Sequence, residues 1–145
     1  MFKKILLALD LADPASYDRV LPVAQDLAER HDSELHVLSV VPSYTMPIVG
    51  SFFPEDFEIK AVKSAKQTLA KVLSKEARPS LSVKGHVVNG SIYDEILKGA
   101  DTLGCDLIIM EAHRPEFKDF LLGPNAARVV RHAKQSVFVV RTQNH

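Results

Sequence analysis

Tryptophan is absent from this chain, cysteine occurs once, and the charges of the two signs cancel. A single cysteine, Cys105, excludes an internal disulfide framework and any metal site built on several thiolates. It fits a reducing, cytoplasmic setting. Eighteen Lys plus Arg stand against eighteen Asp plus Glu, a formal net charge of zero, and no basic run breaks the balance. Nucleic-acid binders draw most of their affinity from neutralising phosphates, so no nucleic-acid partner is expected. No apolar run approaches the roughly 18 residues that a membrane span requires. The opening Met1 to Asp10 also lacks the long apolar core and cleavage site of a secretory leader, so no membrane association is expected. Glycine is sparse too. The six glycines, at 50, 85, 90, 99, 104 and 123, form neither G-x-x-x-x-G-K-[ST] nor G-x-G-x-x-G, and no G-x-S-x-G elbow exists. The six histidines show no pair at metal-ligand spacing with a carboxylate partner, so no metal centre is expected.

What is present has the proportions of a globular protein. The 145 residues are 46% hydrophobic and 25% charged, which points to one domain over residues 1–145. Five short, β-branched segments read as strands: Ile5 to Leu9, Leu35 to Val41, Leu81 to Val88, Leu107 to Met110 and Val137 to Val140. Continuous apolar runs such as Ile5 to Leu9 suit a sheet covered on both faces. Leu81 to Val88 alternates with Ser82, Lys84 and His86, which moves it toward an edge.

Stretches of helical period separate these segments. Asp13 followed by Pro14 reads as an N-cap and first helical position, and Val20, Ala24, Leu27 and Ala28 form the buried stripe behind them. Ile59, Val62, Ala65, Leu69, Val72 and Leu73 repeat the pattern. Ser91 with Asp94 three residues later has the form of a capping box ahead of Ile96, Ala100 and Leu103. A last helix from Pro124 to Ala133 turns Ala126, Val129, Val130 and Ala133 inward. Strand and helix in alternation predict an α/β fold on a parallel sheet, with strand order open from periodicity alone.

Two connections are long for such a unit, Pro42 to Phe53 and Glu111 to Gly123, and both follow the C-terminal ends of strands, where open α/β sheets bind ligands. The second lies in Met110 to Ala127, M-E-A-H-R-P-E-F-K-D-F-L-L-G-P-N-A-A. It leaves a buried strand, passes Arg114 and Lys118, and enters a helix through Gly123-Pro124-Asn125. Unpaired amides at a helix N-terminus favour anions, so the stretch is either a phosphate cradle or only a helix start. Other residues carry two readings as well. Asp10 contacts a ligand or caps a turn, and Cys105 is a small core hydrophobe or a redox sensor. Tyr44 to Phe57 closes over a ligand or packs on a partner subunit.

The block from His113 to Ala133, H-R-P-E-F-K-D-F-L-L-G-P-N-A-A-R-V-V-R-H-A, followed by Ser136-Val-Phe-Val-Val-Arg141, resembles the end of a universal stress protein. The small bacterial F/G-type members are the most similar. Lys4-Ile-Leu-Leu-Ala-Leu-Asp10, His36-Val-Leu-Ser-Val-Val-Pro42 and Gly90-Ser-Ile-Tyr-Asp-Glu-Ile96 stand where that family has its earlier signatures. The resemblance implies a Rossmann-like five-stranded parallel sheet of order 3-2-1-4-5, with two helices on each face. It further implies a homodimer through Val137 to Val140, and ATP, AMP or ADP, with or without magnesium, held between strands 1 and 4. By the same resemblance, Asp10 contacts the nucleoside and Val41 meets adenine through its backbone. Met110, His113, Arg114, Gly123, Pro124, Asn125 and Ala126 lie along the phosphate-binding stretch.

The chain departs from that pattern where it matters most. Glu111 and Arg114 replace glycines, and Pro124 replaces a serine, removing a hydroxyl and an N–H. Glu111 sets an anion on the phosphate path unless its side chain points away; otherwise either Arg114 neutralises it or nucleotide affinity falls. The implied function is a stress-responsive, nucleotide-binding regulatory dimer with slow or no hydrolysis. The alternative is a nucleotide-free interaction protein of the same fold acting through its dimer surface.

Overall fold

A computed structural model describes residues 1–43, 57–112 and 124–141. Among them, five strands and four helices alternate: β1 (Lys4–Ala8), α1 (Pro14–His31), β2 (Glu34–Pro42), α2 (Phe57–Glu76), β3 (Val83–Gly90), α3 (Ile92–Leu103), β4 (Leu107–Ala112), α4 (Pro124–His132) and β5 (Ser136–Arg141). The strands form one sheet of order β3-β2-β1-β4-β5, parallel throughout. Ile5, Leu6 and Leu7 of β1 are fully buried because both faces of the central strand are covered. Ile5 and Leu7 point into a cluster with Val20, Ala24 and Ala28 of α1 and Leu69 of α2. Leu6 points the opposite way, to Ile96 and Ala100 of α3 and Ala126 and Val129 of α4. Two helices therefore cover each face. Burying side chains of this size contributes about 1.5–3 kcal/mol each.

Several local expectations hold. Asp13 is the N-cap of α1, its carboxylate accepting from the Ala15 amide, and Pro14 opens the helix. Gly104 ends α3 at a φ of 72°, a left-handed conformation that suits glycine, and its amide donates to the Ala100 and Asp101 carbonyls. Cys105 is a buried free thiol, and burial pushes it up to about 11, which fits a core hydrophobe and disfavours thiolate chemistry. The alternating segment at residues 83–90 is indeed an edge strand.

Others are corrected. β2 runs on through Pro42 and β4 through Ala112, so Pro42, Glu111 and Ala112 belong to strands and not to the long connections. Leu81 and Ser82 precede β3, because the Leu81 amide is taken by the Arg78 carbonyl in a turn. Ser91 caps α3 by position only, with no side-chain hydrogen bond, so the capping box does not form. Ile59 is 70% exposed and Val130 46% exposed, although both belong to apolar stripes. Each lies on a helix that covers the margin of the sheet, where only part of the stripe finds something to pack on. α2 comes close to the edge strand at Gly85, where an added Cβ would stand 2.9 Å from Leu73 Cδ1.

Two polar clasps join distant segments. Gln25 of α1 donates to the Glu76 carbonyl at 3.2 Å and accepts from the Arg78 amide at 2.7 Å, tying the end of α2 to α1. On the other face of the sheet, His36 Nδ1 lies 2.8 Å from His86 Nε2, with the rings stacked. Glu34 Oε1 lies 2.6 Å from His36 Nε2, an ion pair when that ring is protonated. One ring of the pair must donate and the other accept, which requires at least one neutral imidazole.

Burial, followed by the charges of His36 and Lys84, holds His86 below its ordinary value of 6.5. The unfolded chain therefore binds a proton at a pH where folded His86 does not, and stability falls as pH drops below that ordinary value. Urea midpoints at pH 7.5 and pH 5.5 test this: the wild type is expected to lose stability over the interval, and His86→Gln to lose less. Equal losses would remove His86 from the account.

Candidate functional site

The sheet order turns back at β1: the chain passes from β1 to β2 on one side and later to β4 on the other. Connections leaving the C-terminal ends of β1 and β4 diverge to opposite faces, and a crevice opens between them. A cleft of about 720 Å³ occupies this position. Its wall includes Asp10 to Asp13 beyond β1, Ser16 of α1, Leu38 to Pro42 of β2, Ile92 and Ile96 of α3, Met110 and Glu111 of β4, and Pro124 to Ala126 of α4. The volume falls within the roughly 300–1,000 Å³ of small-molecule sites.

Six of the residues singled out in the sequence meet here: Asp10, Val41, Met110, Pro124, Asn125 and Ala126. His113, Arg114 and Gly123 lie outside the described residues, as do residues 44–56 of the long connection after β2. Asp10 accepts from the Ala12 amide at 2.9 Å, so its carboxylate does cap a turn. That leaves its second oxygen and an exposed position at the cleft mouth. The Tyr17 hydroxyl donates to the Leu11 carbonyl at 2.6 Å and fixes the same turn. Burial, then the nearby charges of Asp10 and Asp13, raise the Tyr17 phenol above its ordinary value.

The end of β2 is tied down by a residue that sequence reasoning passed over. Asn89 of β3 donates from Nδ2 to the Val41 carbonyl at 3.1 Å, while its Oδ1 accepts from the Ser43 hydroxyl at 2.8 Å. The Val41 carbonyl thus accepts from the Asn89 side chain while its strand stays in register with β3, Val41 opposite Asn89 and Pro42 opposite Gly90. On the opposite wall, α4 begins at Pro124, which has no N–H, so the first amides available there are those of Asn125 and Ala126.

Charge in the cleft is organised by Arg19. Its guanidinium grips Glu111 with two parallel hydrogen bonds, Nε to Oε2 at 2.7 Å and Nη2 to Oε1 at 3.0 Å. Nη2 also reaches Asp13 Oδ2 at 3.0 Å. Planar, two-point pairing of this kind is the strong form of the arginine–carboxylate bond. Hydrogen bonding to Glu111 is the largest cause of an Arg19 pKa raised above its already high ordinary value. The Glu111 side chain is only 11% exposed, so this pairing is what makes an anion tolerable at the end of a buried strand. Arg114, the neutraliser considered from the sequence, lies outside the described residues; among the described residues Arg19, 92 residues from Glu111 along the chain, pairs with it. The only hint in the sequence was indirect: a carboxylate closing an apolar strand needs a cation, and an arginine on the first turns of α1 is one candidate.

Among the described residues no group of three or more His, Cys, Asp or Glu is arranged to hold a metal ion.

Comparison with known proteins gives a consistent answer. The family model described as the universal stress protein family matches residues 1–141. Universal stress protein G of Shigella flexneri is 31% identical over 143 residues, covering 97% of this chain and all of that protein. The solved structure of protein MJ0577, from Methanocaldococcus jannaschii, superposes with a TM-score of 0.76 at 25% identity, covering 100% of this chain and 99% of that one. Two more distant structures show the same fold. One is a universal stress protein in complex with cAMP, with a TM-score of 0.60 at 20% identity, covering 98% of each chain. The other, from Archaeoglobus fulgidus in complex with dAMP, has a TM-score of 0.63 at 18% identity, covering 95% of this chain and 97% of that one.

The dual role of Asp13 is separable by substitution. Asp13→Ala is expected to cost about 1–2 kcal/mol through loss of the cap and of one Arg19 partner, whereas Asp13→Asn keeps the cap and costs less. Chemical denaturation of both variants checks the order; equal losses would mean that the cap contributes nothing.

Proposed function

Because this chain belongs to the universal stress protein family, we propose that its cleft binds an adenine nucleotide (AMP, ADP or ATP) and that the protein acts as a regulatory module with slow or no hydrolysis. One observation carries the reading: a nucleotide-sized cleft lies at the reversal of strand order, with the N-terminus of α4 in its wall. Val41 at the end of β2 lines the cleft, and Leu38, Val40 and Met110 supply apolar walls for an adenine ring. The Asn125 and Ala126 amides at the start of α4 face the phosphate end. That two distant relatives are described in complex with cAMP and dAMP supports the ligand class.

The same reading includes a homodimer through the last strand. Among the described residues β5 pairs with β4 alone, and no strand lies along its other edge. Val137, Val139 and Val140 are half-buried in the single chain, and Phe138 is 43% exposed. An apolar, unpaired edge is a ready template for a second copy.

Two measurements test these statements. Calorimetric titration of nucleotide-stripped protein with ATP and magnesium is expected to give a saturable heat with a Kd of roughly tens of micromolar or tighter. Asn125→Asp, which suits the start of a helix yet repels an anion, is expected to weaken binding tenfold or more while leaving the melting temperature intact. Absence of heat at millimolar ATP, AMP and adenosine would return the protein to the nucleotide-free alternative. Light scattering is expected to show a dimer that Phe138→Glu converts to a monomer; a wild-type monomer at high concentration would remove the edge-strand interface.

A further inference from the structure

Resting on the reading of the cleft as an adenine-nucleotide site, we infer that Glu111, clamped by Arg19, selects ligands by phosphate number and turns the site toward nucleotides with a single phosphate. Asp10, Asp13 and Glu111 all line the cleft, and no lysine or arginine is among its described lining residues. Among the described residues Arg19 is a cation that reaches this carboxylate group, and it is engaged by two of the three, Glu111 and Asp13. The described wall therefore carries excess negative charge even after the pairing. Residues 113–123 add Arg114 and Lys118 but also Glu116 and Asp119, so that stretch brings no excess of either sign.

Among the described residues, donors for phosphate are also few. Pro124 removes the first amide of α4, leaving those of Asn125 and Ala126. A single phosphate can be satisfied by such a helix start. Each additional phosphate adds negative charge, and the cleft that must receive it also contains the Glu111 carboxylate, 11% exposed and therefore poorly screened by water. Because Arg19 grips Glu111 through both nitrogens of its fork, the carboxylate is held where it is, and Arg19 is not free to turn to a phosphate without abandoning a buried anion. Adenosine feels none of this repulsion, AMP feels some, and ATP the most.

The test is a set of titrations with adenosine, AMP and ATP in EDTA, on the wild type and three variants, with melting temperatures taken alongside. In the wild type, ATP is expected to bind no more tightly than AMP, and added magnesium, which neutralises part of the ATP charge, to favour ATP. Glu111→Gln keeps the shape and deletes the charge; it is expected to raise ATP affinity relative to adenosine by about tenfold, the order for one partly screened charge. Arg19→Gln strips Glu111 of its counter-ion and is expected to shift the same ratio the other way. Arg19→Lys, which keeps the charge and loses the fork, restores much of the ratio. A purely structural role would lower adenosine and ATP binding together and leave the ratio alone, and that result overturns the inference. So does wild-type ATP binding tenfold or more tighter than AMP in EDTA. If adenosine, AMP and ATP all fail to bind at millimolar concentration, the nucleotide reading itself falls, and this inference with it.

Discussion

Everything in this molecule is built around a strand that has no solvent-facing side. Ile5, Leu6 and Leu7 are consecutive, apolar and fully buried, and successive side chains on a strand point to opposite faces. A strand of that composition is stable only with a hydrophobic layer above and another below. α1 and α2 provide one, α3 and α4 the other. It also needs a neighbour on each edge, which β2 and β4 supply through the registers that begin at Lys4↔Glu34 and Ile5↔Leu107. Placing the first strand at the centre means the chain must grow outward twice, once in each direction. The crevice at the C-terminal ends of β1 and β4 is the unavoidable consequence, and the cleft sits in it.

The polar architecture follows from that apolar one. A central sheet delivers its strand ends to one surface, and Glu111 arrives there at the last but one residue of a strand whose interior is buried. A carboxylate in that position requires a counter-ion, and the nearest helix to β1 offers Arg19. The guanidinium in turn draws in Asp13, which is already engaged in capping α1. One cation thus links the start of a helix to the end of a strand across the crevice. Its value as net stabilisation is modest, since desolvating the partners opposes their attraction. Its structural effect is to hold charge of defined sign and position inside the cleft, which is what a ligand would meet.

Local signals in the chain were strong where a residue's neighbours in sequence are also its neighbours in space. The Asp13-Pro14 helix start, the continuous apolar run Ile5 to Leu9, and the alternation that moved Leu81 to Val88 toward an edge all belong to that class; the equally continuous run Val137 to Val140, read as covered on both faces, lies instead in the edge strand β5. Errors gathered where coverage depends on what lies across the sheet. Ile59 and Val130 read as core positions because their stripes are apolar, yet helices at the sheet margin bury only part of such a stripe. Ser91 and Asp94 have capping-box spacing, but no cap hydrogen bond forms, and Asp94 is one methylene shorter than the glutamate that usually reaches back.

By itself, then, the sequence determined the alternation of strands and helices and the two-sided burial of β1, because period, capping and apolar run length are written over short distances; the six cleft-lining residues were named through the family resemblance. Together with the family resemblance, it also determined the strand order. Only the tertiary structure decided which charges meet. Arg19 and Glu111 are 92 residues apart, and His36 and His86 are 50 apart. Neither pairing leaves any mark on the spacing of the chain, since a side chain's electrostatic partner is chosen by which elements the sheet brings side by side, and that choice is made only when the whole core is closed.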